Sequence, residues 1–203
     1  VEYQAASAAE LASNFTQAAS VLNQLNLSKV PEFTEDQTVQ ENLWKLRKGM
    51  YPSVAAVRAR GTTVLLEDIA VPVESLATAI VGLQSLFVKY HYENGIIFGH
   101  AKDGNLHFVV SQAFDLPEEV AQFANFNRDL IELVVHQLNG SLKAEHGTGR
   151  QVAAFVEEEW GAEAYDIMTR LKQLADPEDI LNRGVLINRD PNSYLANLKQ
   201  LPP

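Results

Sequence analysis

The stretch FGHAKDGNLHF, residues 98–108, places Asp103 and Gly104 between two apolar runs. An Asp-Gly pair in this position is a strong signal for a two-residue β-hairpin turn, because Gly and, less readily, Asp tolerate a positive φ. A two-residue turn sets His100 directly opposite His107. Opposed residues share one face of a sheet, with Cβ atoms about 5 Å apart. The hairpin therefore predicts a place where one metal ion could lie between two imidazole rings.

The segments on both sides of the hairpin alternate between strand and helix patterns. β-branched and apolar residues predict a strand over 62–70, and Pro72 introduces an apolar helix over 73–91. A helix over 117–138 and a short strand-like segment over 140–145 follow the hairpin. This β-α-β-β-α-β order predicts an α+β fold with a ferredoxin-like antiparallel sheet and helices on one face of it.

Flanking helices are predicted at both ends of the chain. Ser7 and Glu10 form a capping-box pair at the start of a helix over 8–25. The other predicted helices cover residues 41–49, 151–160 and 162–174, with a last turn that begins at Asp176-Pro177.

A second stretch, GSLKAEHGTGR at residues 140–150, carries side chains that can bind a metal or transfer a proton. Glu145 can ligate a metal, and His146 can accept or donate a proton near neutral pH. Gly147 and Gly149 let the backbone approach a ligand closely. We expect this stretch to act together with the hairpin.

Composition limits the possible functions. The 203 residues are 46% apolar, which is enough for a core, and no apolar run approaches the roughly 20 residues that span a bilayer. The net charge is −10 with dispersed basic residues, so a nucleic-acid partner is not expected. Cysteine is absent, so a metal site must use His and carboxylate ligands. We expect a cytoplasmic location, or a peripheral one at the inner face of the membrane, and a chain cut from a longer protein.

Five motifs, in order along the chain, carry a family resemblance. They resemble the C-terminal substrate domain of the FAD-linked oxidases of the vanillyl-alcohol oxidase superfamily, which includes D-lactate, glycolate and D-2-hydroxyglutarate dehydrogenases. The residues of these motifs most resemble those of the large bacterial members of the superfamily, which carry an iron-sulfur domain. The motifs are LWKLR at 43–47, EDIAVP at 67–72, GHAKDGNLH at 99–107, EHGTG at 145–149 and DPEDILN at 176–182.

The resemblance implies a metal centre and a proton acceptor. His100, His107 and Glu145 would hold a divalent metal, usually zinc in this family. His146 would be the general base that takes the proton of the substrate hydroxyl as hydride passes to the flavin. The metal would lower the pKa of this hydroxyl.

The resemblance also implies residues that contact the substrate and the cofactor. Arg47 would pair with the substrate carboxylate, Asn105 would hydrogen-bond the substrate, and Asn182 would lie near the flavin ring. Lys102 stands where many relatives have Gly, and it would bring a cation to the substrate. Leu66 replaces a Lys that the 2-hydroxyglutarate enzymes use for the distal carboxylate, which weakens that assignment, although Arg58, Arg60 or Lys102 could substitute.

The implied domain organisation leaves the flavin outside this chain. Residues 1–50 would be a helical connector from a missing FAD-binding domain, and residues 51–203 would be the substrate domain, or cap. FAD would be bound mainly by the missing domain, so the chain alone would be inactive. The partners would be this domain, an iron-sulfur domain or other electron acceptor, a small 2-hydroxy acid, and in a homodimer a second copy.

Simpler readings stay open. Paired histidines on a hairpin can lie on a solvated face, His146 can be a turn residue, and Arg47 can complement a helix dipole. A ferredoxin-like order also separates Glu145 from the histidines by about 10 Å, unless the loop after Leu142 curls back or the sheet order differs. Rival functions are a non-catalytic ligand-binding or assembly module with a structural metal, and a stand-alone metallohydrolase.

Overall fold

The computed structural model describes residues 2–202, apart from the side chain of residue 54. The chain divides into two compact units, one ending at Met50 and the other beginning at Tyr51. None of the described helices is both long enough and apolar enough to cross a bilayer.

The first unit is built on helix α1 (Ala8–Leu22). Its N-terminus is capped as predicted: the Ser7 hydroxyl accepts a hydrogen bond from the Glu10 N–H at 3.2 Å. The ring of Phe15 stacks on that of Phe33, with 4.8 Å between centroids. Helix α2 (Gln37–Ala56) is longer than the predicted 41–49, and it includes Pro52.

The second unit contains a three-stranded antiparallel sheet. Its strands are β1 (Thr63–Ala70), β2 (Ile96–His100) and β3 (Asn105–Gln112), in the order β1-β3-β2. With helices α3 (Leu76–Lys89) and α4 (Pro117–Ile131), it confirms the predicted α+β class. A π-helical segment, Glu132–Gln137, continues α4.

The predicted fourth strand over 140–145 is absent from the described sheet. Among the described residues of this segment, Ser141 alone bridges to the outer edge of β1, where it exchanges two backbone hydrogen bonds with Ala70 (3.0 and 2.8 Å). After Ser141 the backbone leaves the ladder, because the Leu142 N–H bonds to Glu159 and the N–H groups of residues 144–146 bond to the side chain of Asp68. The ferredoxin-like arrangement is thus reduced to three strands and one bridge.

The register of the hairpin also differs from the prediction. His100 pairs with Asn105, and His107 pairs with Phe98, because residues 101–104 form a four-residue connection with a 3₁₀ turn. Gly104 has a φ of 66°, and its carbonyl accepts a bond from the Val71 N–H. Since the slip is two residues and side chains alternate with period two, the two histidines still share a face, with ring centroids 5.5 Å apart.

The two faces of the sheet have different contents. One face meets α3 and α4 and carries the apolar core, including Ile69, Leu106, Phe108, Val110, Leu83, Phe87 and Phe126. Asp68, Asn105 and His107 lie on the opposite face, because residues paired across antiparallel strands share a face. These three polar residues therefore lie on the face of the sheet that α3 and α4 do not cover.

A buried ion pair lies on the core face of β1. Lys143 Nζ is 2.6 Å from Glu67 Oε2, and both side chains are largely shielded from solvent. Burial raises the pKa of Glu67 above its usual value, and the nearby Lys143 offsets this only in part.

The chain ends with α5 (Gly149–Ala153), α6 (Val156–Ala175) and an irregular segment. The predicted break between 160 and 162 is present as a kink within α6 at Gly161, where φ is 81°. The predicted turn after α6 is tied by Asp176, whose carboxylate accepts bonds from the N–H groups of Ile180 and Leu181 at 2.9 and 2.8 Å.

Candidate metal centre

Three side chains from three separate segments converge on the polar face of the sheet. His100 ends β2, His107 lies in β3, and Glu145 lies in the loop after the Ser141 bridge. Glu145 Oε1 is 3.0 Å from His107 Nε2 and 3.4 Å from His100 Nε2. The structure therefore brings the three predicted ligands together.

The donor set fits a divalent metal. Zinc binds His nitrogen and carboxylate oxygen at about 2.0–2.2 Å, so two ligand atoms of a tetrahedral site are separated by about 3.4 Å. The spacings of 3.0 and 3.4 Å are close to this value. His107 is buried, whereas His100 and Glu145 are about half exposed, so one side is accessible to a further ligand. Three protein ligands with one accessible position are typical of catalytic zinc sites.

Asp68 organises the loop that carries Glu145, and sequence reasoning missed this role. Its carboxylate is fully buried, and Oδ2 accepts bonds from the N–H groups of Ala144, Glu145 and His146 at 3.0, 2.7 and 2.9 Å. These bonds carry the loop back over β1 toward the histidines. The predicted separation of about 10 Å does not arise, because the loop curls back.

The charge state of Asp68 follows from the same contacts. Burial alone would raise the pKa of this carboxyl, but the N–H groups of His146, Glu145 and Ala144 and the amide of Asn105 outweigh it. The pKa of Asp68 is therefore lowered, and the group is an anion at neutral pH. One signal in the sequence pointed here: Glu67 and Asp68 are adjacent in an apolar strand, so they face opposite sides of the sheet.

His107 lies between two carboxylates. Its Nδ1 is 3.3 Å from Asp68 Oδ1, and its Nε2 faces Glu145. Burial lowers the pKa of His107, and the neighbouring Asp68 only partly opposes this effect. The ring is therefore neutral near pH 7, which is the form that ligates metals.

A second group of possible ligands shares His107 with the first. This group consists of Asp68, His107 and His146, whose possible ligand atoms, one from each residue, lie within 4.8 Å of one another. Asp68, however, already accepts three backbone bonds on Oδ2 and one from Asn105 on Oδ1. Its oxygens have little remaining capacity, so the chemistry favours His100, His107 and Glu145.

His146, the predicted base, lies next to the three ligands. Its ring stacks on that of His107 with 4.8 Å between centroids, and its Nε2 is 4.0 Å from Glu145 Oε1. The side chain is partly exposed, so it is accessible from the open side of the cluster.

Asn105, predicted to bind substrate, is buried beside Asp68. Its amide nitrogen donates to Asp68 Oδ1 at 2.6 Å and to the Ile69 carbonyl at 3.1 Å. Its Oδ1 is buried without a hydrogen-bond partner among the described residues. Only this oxygen is free to accept a bond from a ligand.

The predicted residues Lys102 and Asn182 lie outside the cluster of predicted ligands, and Arg47 belongs to the first unit. Lys102 is exposed at the hairpin turn, and Asn182 is exposed in the segment after α6 with a φ of 45°. Within residues 2–202, neither makes an ion pair or side-chain hydrogen bond with the three predicted ligands. Arg47 is exposed on α2 in the first unit, with its guanidinium carbon 5.8 Å from the centroid of the Trp44 ring.

Comparison with known proteins gives consistent matches. The family model described as "FAD linked oxidases, C-terminal domain" matches residues 1–186. The glycolate oxidase subunit GlcD of Bacillus subtilis (strain 168) is 30% identical over 156 residues, which cover 76% of this chain and 33% of that protein. The mitochondrial D-lactate dehydrogenase [cytochrome] of Arabidopsis thaliana is 29% identical over 161 residues, or 76% of this chain and 27% of that protein. The D-2-hydroxyglutarate dehydrogenase of Stutzerimonas stutzeri (strain A1501) is 29% identical over 147 residues, which cover 71% of this chain and 30% of that protein. The chain thus spans about a third or less of the length of these relatives.

Proposed function

This chain belongs to the FAD linked oxidases, C-terminal domain family, and on that premise we propose that it is the substrate domain of an FAD-dependent D-2-hydroxy-acid dehydrogenase. The reaction would convert a D-2-hydroxy acid to the 2-oxo acid. The observation that carries the proposal is the convergence of His100, His107 and Glu145 beside His146. The names of the relatives, which refer to glycolate, D-lactate and D-2-hydroxyglutarate, support this class of substrate.

Each residue of the cluster has a separate proposed role in the reaction. His100 Nε2, His107 Nε2 and Glu145 Oε1 would hold a divalent metal, with zinc as the expected ion. When bound, the metal would polarise the substrate hydroxyl and lower its pKa. His146 would take the hydroxyl proton as the α-hydrogen leaves as hydride. FAD, bound mainly by the rest of the parent polypeptide, would accept this hydride, and electrons would then pass to an iron-sulfur domain or another acceptor.

The expected substrate is a short 2-hydroxy acid. Leu66 lies on the same face of β1 as Asp68, two residues away, and supplies no cation there for a second carboxylate. This favours glycolate or D-lactate over D-2-hydroxyglutarate. Arg47 and Lys102 are the proposed partners of the substrate carboxylate, and Asn182 is proposed to lie near the flavin. We also propose residues 1–50 as the connector and residues 51–203 as the cap.

The metal centre can be tested on this chain directly. Zinc content and zinc affinity would be measured for the wild type and for the His100→Ala and His107→Ala variants. His136→Ala is the matched control, because His136 is a half-exposed histidine that contacts Glu158 outside the cluster. We expect about one zinc per chain in the wild type and control, and a loss in the other two. Equal zinc in all four proteins would refute the site.

The proposed base requires the full-length parent. His146→Ala should retain the metal but reduce its flavin slowly when mixed with glycolate or D-lactate, because the hydroxyl proton has no acceptor. Loss of a general base typically costs a factor of about 10²–10⁴. Normal flavin reduction by the variant would refute the assignment. Zinc binding without flavin reduction in the wild-type parent would favour the non-catalytic module instead.

A further inference from the structure

We infer that Asp68 is the positioning residue of this site, holding both the His107 ring and the backbone that carries Glu145 and His146 without ligating the metal itself. The inference rests on the proposed function, since it explains how the proposed ligands and base are brought together. Asp68 belongs to β1, whereas the groups it holds belong to β3 and to the loop over 144–146. One buried carboxylate therefore joins three segments.

The loop is held by its backbone. Three consecutive N–H groups point at the same oxygen, Asp68 Oδ2, and hydrogen bonds to an ionised acceptor are stronger than neutral ones. Such an arrangement limits the φ and ψ of residues 144–146, and so fixes the direction in which the side chains of Glu145 and His146 leave the loop.

The loop is followed by two glycines with a left-handed backbone. Gly147 and Gly149 have φ values of 73° and 70°, and a Cβ built on either would meet no other atom within 4 Å. The space that a side chain would occupy at either position is therefore open. The hydrogen bonds closest to Glu145 in sequence are thus the three that Asp68 accepts from residues 144–146.

The second oxygen of Asp68 faces the histidine. Oδ1 accepts a bond from Asn105 and lies 3.3 Å from His107 Nδ1, a buried nitrogen that makes no hydrogen bond within the described chain. A carboxylate beside one ring nitrogen favours the tautomer with the proton there. The other nitrogen, Nε2, is then left unprotonated on the side of Glu145.

The closing experiment compares two neighbouring buried carboxylates. Asp68→Asn keeps the size of the side chain but replaces an acceptor with an amide. Glu67→Gln is the matched control, because Glu67 is buried on the same strand and faces the opposite side of the sheet. Zinc affinity would be measured by competition with a chromophoric chelator, and hydrogen exchange of the amides of residues 144–146 would be measured by NMR without metal. A melting curve of each metal-free protein would show which temperatures keep it folded.

We expect Asp68→Asn to bind zinc about 10–100-fold more weakly, as is typical when an outer-shell partner of a ligand is lost. The three loop amides should also exchange faster than in the wild type. Glu67→Gln should keep its zinc affinity and the protection of these amides at temperatures where it is folded. A residue with only a structural role would lower the melting temperature without this specific loss of affinity.

The two readouts separate this inference from the proposed function. Unprotected amides at 144–146 in the wild type would overturn the inference even if Asp68→Asn failed to fold. Unchanged protection and zinc affinity in Asp68→Asn would also overturn it. If the wild type bound no zinc while Asp68→Asn alone lost amide protection, the metal centre would be refuted and the positioning role of Asp68 would stand.

Discussion

Replacing Lys143 by Met tests the buried ion pair on the core face of β1. The wild-type pair has a separation of 2.6 Å, and the side chains of Lys143 and Glu67 are only 14% and 8% exposed. Met keeps most of the apolar stem of Lys143 but removes its charge, so Glu67 stays buried without a cation. Breaking a buried pair by removing one partner typically costs about 3–5 kcal/mol, which is the loss in the free energy of unfolding that we expect near pH 7.

The loss should depend on pH in a defined direction. Burial already raises the pKa of Glu67 in the folded state, so its ionisation costs stability as pH rises through this pKa. Removing Lys143 raises the pKa of Glu67 further, and the variant therefore loses more stability than the wild type at neutral pH. Below about pH 4, Glu67 is protonated in the folded and unfolded states alike. The remaining difference should then be about 1 kcal/mol, the value of one hydrogen bond.

Urea unfolding near pH 7 and near pH 4 measures both numbers. Arg170→Met is the control, because Arg170 pairs with Asp166 at 3.6 Å while both side chains are highly exposed (74% and 61%). We expect this control to change the free energy of unfolding by less than about 0.5 kcal/mol at either pH. A Lys143→Met loss below about 1 kcal/mol near pH 7, or one independent of pH, would refute the reasoning.

Three further changes test other parts of the second unit. Gly104→Ala should cost more than about 2 kcal/mol in urea unfolding, because its Cβ would clash with the backbone carbonyl oxygen of Val71 and the backbone has a positive φ; an unchanged midpoint would contradict the observed turn. Lys172 and two backbone N–H groups lower the pKa of Asp176 to about 2. Asp176→Asn should therefore lower the melting temperature above about pH 4, and this difference should shrink as pH falls and vanish only below about 2. A difference that persisted at the acid end would show that the charge is not responsible. Tyr92→Phe should cost about 1–2 kcal/mol, because its hydroxyl donates to buried Gln112 at 2.5 Å; wild-type stability would show that this bond contributes nothing.

The main elements of the fold could be predicted because they depend on local patterns. The capping pair Ser7 and Glu10 fixed the start of α1, and β-branched residues identified β1. The hairpin register was wrong because Gly104 bonds to Val71, a contact between segments far apart in sequence. The error did not separate His100 from His107, because a slip of two residues preserves the face.

The site was predictable in its ligands but not in its assembly. The residue types of His100, His107 and Glu145 indicate metal chemistry without any structure. The role of Asp68 depends on three backbone N–H groups from a loop 76–78 residues later in the chain. The backbone N–H is common to almost all residue types, so no sequence pattern encodes this contact.

The loop over 141–146 also decides how the sheet meets other molecules. An open strand edge presents unpaired N–H and C=O groups, which favour aggregation by strand addition, and natural proteins often protect such edges with a loop. Here the bridge at Ser141 covers part of the outer edge of β1, and the segment that follows it is held by Asp68. A change that releases this segment would therefore expose unpaired backbone groups of β1 and also separate the predicted metal ligands. Poor solubility of such a protein would then reflect strand pairing between molecules rather than a failure to fold.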